Sequence, residues 1–165
     1  MKQSAGILLY KKATTGLQVL IVHPGGPFWA RKDAGAWSIP KGEFLEGEEA
    51  LVAAKREFRE ELGMTPPEGA LRELGSIKQS SGKMVHVWAC EGDLDVKQVR
   101  SNTFNMEWPP KSGKEQTFPE VDRARWCTLA EARIKLVKGQ VGFVEQLAEQ
   151  LGADLPDIPE QGSLF

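Results

Sequence analysis

Residues 5–10, Ala5-Gly6-Ile7-Leu8-Leu9-Tyr10, are apolar on both alternating faces, and residues 17–22 nearly so. Short continuous apolar runs of this kind predict strands buried on both sides of a sheet. The polar segment 11–16 between them, ending in glycine, predicts a hairpin connection of moderate length. Pro24, Gly25, Gly26, Pro27 and Gly35 then mark residues 23–36 as loop, and Trp37-Ser38-Ile39 predicts a short strand leading into Pro40-Lys41-Gly42. Here the period changes. Leu51, Ala54, Phe58 and Leu62 recur at spacings of three and four, which predicts an amphipathic helix over 47–62. Gly63 stops it as a C′ residue, and Pro66-Pro67 forbid its resumption.

Residues 71–79 and 84–90 alternate as a second strand pair, turning at Ser80-Ser81-Gly82. Residues 93–119, with Asn102, Asn105, Pro109, Pro110 and Gly113, read as an irregular loop on the substrate side. Residues 123–127 predict the last strand, and Thr128 with Glu131 has the capping-box spacing of a helix start. That helix is expected to end near Gly139, and a second presents Val141, Phe143, Val144, Leu147 and Leu151. Strands, one helix, more strands and two terminal helices predict an α+β domain over residues 1–152, its mixed sheet lying between helices. Residues 153–165 are too proline-rich to continue the last helix and read as a tail.

The predicted helix over 47–62 carries an unusual charge pattern. Glu57, Glu60 and Glu61 stand at i, i+3 and i+4, so their carboxylates converge on one face. Each like-charge pair at that spacing costs about 0.2–0.5 kcal/mol, which Lys55, Arg56 and Arg59 offset only in part. A hard cation explains the cluster, because Mg²⁺ takes oxygen ligands and commonly joins carboxylates to substrate phosphates. The pattern points to a metal site with a diphosphate as guest. In the loop before it, Phe28 and Trp29 accompany Arg31 and Lys32, and the later loop carries Phe104, Trp108, Lys111 and Lys114. Flat apolar faces beside cations suit a base and its phosphates, although the same aromatics serve equally to pin loops to a core.

Gly42, five residues, Glu48, seven residues, then Arg56-Glu57-Phe58-Arg59-Glu60-Glu61-Leu62-Gly63-Met64 resembles the complete signature of the Nudix hydrolases. Every polar and glycine position agrees; Phe58 and Met64 stand where that family more often has an aliphatic residue. The resemblance implies an α/β/α sandwich and hydrolysis of a phosphoanhydride bond dependent on Mg²⁺ or Mn²⁺. It implies Glu57 and Glu61 as leading ligands with Glu60 close behind, Arg56 as the group orienting Glu57, and Glu48 as support. The carbonyl of Lys41 or Gly42 would join the metal shell, and the Lys41 ammonium would reach a phosphate. Many such enzymes use a further acid six residues before a tryptophan of the final strand. Glu120 precedes Trp126 by six and is the implied extra ligand or base; Glu115 is the alternative, and a plain surface acid is the bland reading of Glu120.

The approach Trp37, two residues, Pro40-Lys41-Gly42 is similar to that of enzymes cleaving dinucleoside polyphosphates. Against this, no tyrosine lies 16–18 residues past the signature, Tyr10 being the only one in the chain, and the proline marking many ADP-ribose hydrolases is missing too. A dinucleoside polyphosphate is therefore expected, with a (modified) nucleoside triphosphate as the alternative. A non-catalytic nucleotide-sensing module is the reading from another class, and the intact Glu57, Glu60 and Glu61 set argues against it.

A net charge of −2 over 165 residues argues against a general nucleic-acid-binding surface. Cys90 and Cys127 fit neither a disulfide framework nor a zinc spacing and are expected to be free and buried, as in a reducing cytosol. His86 on the fifth predicted strand is expected to be structural. No apolar run approaches the ~18 residues of a membrane span and no signal-peptide layout is evident, so a cytoplasmic protein is expected. The C-terminus Gln161-Gly162-Ser163-Leu164-Phe165 resembles the short peptide, typically Gln-Leu-Ser-Leu-Phe, that docks bacterial proteins on the DNA-polymerase sliding clamp. Gln161, Ser163, Leu164 and Phe165 agree and Gly162 does not; folding back onto the sheet is the competing expectation.

Overall fold

The computed structural model describes residues 2–155, and the clamp-like motif at 161–165 lies outside them. β1 (Gln3–Ala13) and β2 (Gly16–Pro24) form an antiparallel hairpin whose last pair is Ala13 with Gly16. The connection is thus only Thr14-Thr15, shorter than the polar segment 11–16 suggested. Lys11 and Lys12 pair with Gln18 and Leu17, because strand pairing uses the main chain and does not require apolar side chains once the ribbon leaves the core. On its other edge β1 pairs in parallel with β5 (Met84–Glu91), which in turn pairs with β4 (Leu71–Lys78). β2 pairs with β8 (Val121–Thr128), giving the order β4-β5-β1-β2-β8.

β1 and β2 pair only at their hairpin end and then part. The gap is filled by residues 37–43. β3 (Lys41–Glu43) pairs with Ser4, Ala5 and Gly6 of β1, while Ser38 exchanges both main-chain bonds with Val22 of β2 at 2.8 Å. The expected strand 37–39 is absent: Trp37 and Ser38 make only isolated bridges, to Leu136 and Val22. Pro40 has no N–H to extend a ladder, and its carbonyl instead accepts from Ile7 at 3.2 Å. Gly6 makes room for this, since a Cβ there would stand 2.5 Å from the Pro40 oxygen.

The central strand divides its side chains between two cores. Ile7 and Leu9 pack with Leu20, Val22 and one face of α1 (Ala50–Leu62). Leu8 and Tyr10 point the other way and pack with Val19, Ile21, α2 (Leu129–Lys135) and α3 (Val141–Leu151). This is the mixed-sheet α/β/α sandwich. In α1 the buried residues are Ala53, Ala54, Phe58 and Leu62, so Ala53 takes the place expected of half-buried Leu51. The helix begins at Ala50 rather than 47 because Gly47 has a left-handed φ of 75° and Glu48 turns its carboxylate back to the Leu45 N–H at 2.8 Å. It stops as expected at Gly63, with φ 71° and an N–H donating to the Arg59 carbonyl. Thr128 and Glu131 form the expected capping box on α2, and Cys90 and Cys127 are free and buried.

Residues 93–119 are not irregular. After a 3₁₀ turn at Val96–Gln98, β6 (Thr103–Glu107) and β7 (Glu115–Pro119) form a two-stranded hairpin separate from the main sheet. Its strands bury no full apolar face, so the alternation that marks a strand is weak in them. Beyond Gly152, Ala153 and Leu155 pack back on the α3 side of the sheet. No helix among the described residues is long and apolar enough to cross a membrane. Phe58 is fully buried under α1, and Phe58→Ala is expected to cost about 3–5 kcal/mol, read as a lower urea midpoint with an unchanged slope. A loss below about 1 kcal/mol would mean that α1 is held chiefly by its polar face.

Candidate active site

The polar face of α1 is assembled around Arg56. Its Nε and Nη2 donate to the two oxygens of Glu48 at 2.8 and 3.0 Å, Nη1 donates to Glu57 at 2.8 Å and Glu60 at 3.1 Å, and Nη2 also reaches the Glu43 carbonyl at 3.0 Å. The five guanidinium protons are thereby all used. These carboxylates hold the guanidinium even more firmly charged than usual. The site thus joins the turn at 43–48 to the second and third turns of α1.

Gly42 lies directly on the Glu57 carboxyl: a Cβ there would fall 2.0 Å from its carboxyl carbon. Glycine is the one residue that lets the main chain approach this closely. Burial raises the Glu57 pKa, although Arg56 pulls against it. Glu61 lies deeper. Burial first, and the Glu57 charge second, push its carboxyl up to about 8, even though the Lys41 N–H donates to its Oε2 at 2.9 Å. Glu60 is more exposed, and its main-chain oxygen accepts from Asn102 at 2.8 Å. Glu120 is brought to the same place, its N–H donating to the Asn102 carbonyl and its own carbonyl accepting from Gly25. Burial raises its pKa, and the Glu60 charge adds to this. Glu115 is not brought in: it pairs with Glu107 at the far end of the hairpin, roughly 16 Å of extended chain from Glu120. With Arg56 holding Glu57 and Glu60, no three His, Cys, Asp or Glu side chains among the described residues already converge as a metal cage.

Beside Glu61 opens a cavity of about 420 Å³, within the range of small-molecule sites. Lys41 brings positive charge to it, Lys83 an ammonium paired with Glu43 at 2.9 Å, Trp29 an aromatic face, and Ser38, Gln79 and Gln140 neutral hydrogen-bonding groups. Lys32 lies with its Nζ 5.0 Å from the Trp29 ring centre, and Arg31 is exposed on the same loop. Phe28 and Trp108 do not line this cavity. They meet edge to face at 5.5 Å and so join the 25–32 loop to the β6–β7 hairpin. The hairpin base at Asn102 and Glu120 stands beside Glu60, while Trp108 lies at the opposite, tip end of the hairpin.

Sequence reasoning missed Ser38, Gln79, Lys83 and Gln140, since single polar residues in turns carry no periodic signal. It missed His23 as well. That side chain is fully buried, its Nδ1 2.8 Å from Asp122 and its Nε2 2.7 Å from the Lys32 carbonyl, tying the aromatic loop to β8. His86 stacks on Trp88 at 4.2 Å and pairs with Glu73, a structural arrangement.

The family model of the NUDIX domain matches residues 2–147. An 8-oxo-(d)GTP phosphatase of Mycolicibacterium smegmatis is 30% identical over 120 residues, covering 66% of this chain and 34% of that protein. The chain therefore spans about a third of that relative's length. A solved C. elegans Ap4A hydrolase in a binary complex superposes with a TM-score of 0.62 at 18% identity, covering 90% of this chain and 98% of that one. The NUDIX domain of Shewanella oneidensis NrtR, complexed with ADP ribose, gives 0.63 at 18% identity, covering 90% and 87%. At such identities the two structures speak for the fold.

The raised carboxyl of Glu61 has a consequence for stability. A folded state that binds this proton more tightly than the unfolded chain is favoured at low pH, and loses that advantage as pH rises from 4.5 towards about 8. Raised Glu57 and Glu120 act in the same sense, whereas lowered Asp33, Glu43, Glu48 and Glu131 act only below the ordinary carboxylate range. Melting temperature in chelator is therefore expected to fall between about pH 5 and about pH 8.5, and Glu61→Gln to flatten that slope. An equal slope in both proteins would remove Glu61 as its source.

Proposed function

The chain belongs to the NUDIX domain family, and from that premise we propose that it hydrolyses a phosphoanhydride bond in a nucleoside diphosphate-linked substrate, with a dinucleoside polyphosphate as the favoured form. The carrying observation is the nearness of Glu57, Glu60, Glu61 and Glu120, whose charges help to raise the pKa values of Glu57, Glu61 and Glu120, with bare backbone at Gly42 against Glu57 and a cavity beside Glu61 edged by Lys41 and Lys83.

The donor set fits a hard divalent cation. It is made of oxygens, its charges repel one another, and Gly42 leaves the Glu57 carboxyl in contact with bare backbone. Glu57 and Glu61, then Glu60, with a carbonyl of Lys41 or Gly42, are the groups that would hold Mg²⁺ or Mn²⁺. When bound, such an ion supplies charge neutralisation for phosphate oxygens and a lowered pKa for water. The chain's own groups do the rest. Arg56 holds Glu57 and Glu60 in orientation without meeting substrate. The Lys41 ammonium draws the phosphates to the cavity, joined by Lys83 where it exchanges its Glu43 partner for phosphate. Glu120, raised by burial, takes the proton of the attacking water at a carboxylate oxygen as the new O–P bond forms and the bridging P–O bond breaks.

Two aromatic surfaces support the two-headed substrate: the Trp29-walled cavity beside Glu61, and the Phe28–Trp108 pair at the tip end of the β6–β7 hairpin. A modified nucleoside triphosphate is the second reading. It is favoured by the polar groups of Gln79, Ser80 and Ser81 at the cavity, which can read a base edge, and by the likeness to an 8-oxo-(d)GTP phosphatase.

Turnover of Ap4A, 8-oxo-dGTP, dGTP and ADP-ribose with Mg²⁺, followed by product chromatography, tests the reaction and ranks the substrates. Glu57→Gln and Glu61→Gln are expected to lower kcat by at least about 10²-fold with the fold intact, and Glu120→Gln to lose more than Glu115→Gln. Full turnover in excess chelator would remove the metal from the reaction, and binding of every nucleotide with turnover of none would replace the hydrolase by a sensor. Stacking is worth about 1–3 kcal/mol, so Trp108→Ala should raise KM roughly tenfold for a dinucleoside polyphosphate and leave KM for a triphosphate unchanged. Equal effects on both would assign the hairpin to a role other than holding a second base.

A further inference from the structure

The strap at residues 36–41, between the parted ends of β1 and β2, has a complete hydrogen-bond account. The N–H groups of Ala36, Trp37 and Ser38 go to the main-chain carbonyls of Asp33, Lys135 and Val22. Pro40 has none. The two N–H groups that flank Pro40 go to side chains instead: Ile39 to Gln140 Oε1 at 2.8 Å, and Lys41 to Glu61 Oε2 at 2.9 Å. Gln140 reaches in from the 3₁₀ turn Lys138–Gln140 between α2 and α3, on the opposite side of the sheet from α1.

Gln140 is itself 2% exposed, and Ile39 is fully buried. Its amide cannot turn over, because Oε1 must face the Ile39 N–H while Nε2 donates to Ser38 Oγ at 3.0 Å. A second glutamine anchors the same turn: Gln79 donates to the Gly139 carbonyl at 3.0 Å, packed so closely that a Cβ on Gly139 would meet it. The α2–α3 turn is thus lashed to the strap on one side and to the β4–β5 end on the other. Without an acceptor at 140 the buried Ile39 N–H is left unpaired, a state that folded proteins avoid by moving the main chain. The strap gives most readily between Ile39 and the Lys41–Gly6 pair of β3, where Pro40 has no N–H and only its carbonyl is held, by Ile7; a shift there is passed to the Lys41 N–H that holds Glu61.

We propose that Gln140 is a positioning residue for the reaction: through Ile39 and Pro40 it sets where the Lys41 N–H meets Glu61, and so where the deepest carboxylate of the site stands. Gln140 touches neither Glu61 nor the phosphates. This inference rests on the hydrolase reading for its kinetic consequence and on geometry alone for its structural one.

Gln140→Met keeps the length and removes the acceptor, while Gln140→Glu, kept neutral by burial, retains an acceptor for Ile39 and an O–H donor for Ser38. Hydrogen exchange of the Lys41 amide is the first readout, and it is independent of any substrate. Gln140→Met is expected to lower its protection at least tenfold while amides of β4 and β5 keep theirs, and Gln140→Glu to stay within about threefold of the parent protein. In kinetics the loss should fall on kcat with KM little changed, again restored by Gln140→Glu. Should Gln140→Met fail to fold, Gln140→Asn, one methylene short of Ile39, carries the same expectations in milder form. Unchanged Lys41 protection in the folded acceptor-free variant overturns the proposal, as does a Gln140→Glu protein as impaired as Gln140→Met. Inactivity of the parent protein towards every substrate would overturn the hydrolase reading and leave the exchange result to decide the role of Gln140.

Discussion

A single guanidinium decides how this site can exist before anything binds to it. Glu57, Glu60 and Glu61 crowd one helix face and Glu48 adds a fourth charge, a grouping that would repel itself apart if left unpaired. Arg56 spends all five donors inside the group, on three carboxylates and one main-chain carbonyl. Hydrogen bonds to charged groups contribute about 1.5–3 kcal/mol each, against about 0.2–0.5 kcal/mol for each like-charge pair along a helix. The arrangement is therefore net attractive around Glu48, Glu57 and Glu60. Glu61 makes no bond to Arg56, and burial together with the Glu57 charge raises its carboxyl to about 8.

That division explains why the main chain around Gly42 must be so exact in position. Glu57 has Arg56 on one side and a bare glycine on the other. Glu61 has only the Lys41 N–H, delivered by a strap that belongs to neither neighbouring strand fully. The parting of β1 from β2 admits that strap, and Gly6 permits Pro40 to press against β1. Fold and site are linked here at one place: the sheet opens where the carboxylates need main-chain donors.

What the sequence made legible follows the range of the forces involved. The periodicity of α1 and the stop at Gly63 are properties of neighbours three or four residues apart, and both stand in the structure, with Ala53 in place of Leu51 and the start at Ala50. Glu120 was reached through its spacing to Trp126. Its placement actually depends on main-chain bonds to Asn102 and Gly25, near the register shift that β8 makes opposite His23 and Pro24. Gln140 and Ser38 are 102 positions apart and His23 and Asp122 are 99, so no local pattern could pair them. Residues 37–39 misled because a short apolar run looks the same in a strand as in a buried wedge. The β6–β7 hairpin stayed hidden because its polar alternation buries no face.

The hairpin and the aromatic loop act as one body. β6 and β7 pair with no strand of the main sheet, so their pose is set by a few contacts. Gly25 donates to the Glu120 carbonyl, the Phe104 ring end lies 3.0 Å from where a Cβ on Gly26 would sit, and Phe28 meets Trp108. Each of these joins the 25–32 loop to the hairpin, and His23 lashes the same loop to Asp122, two residues past Glu120. A shift of the loop is therefore carried to the carboxylate that we assign to proton transfer. The aromatic loop and the carboxylate of Glu120 are thus held in one linked unit, built apart from the α1 face that carries Arg56 and its partners.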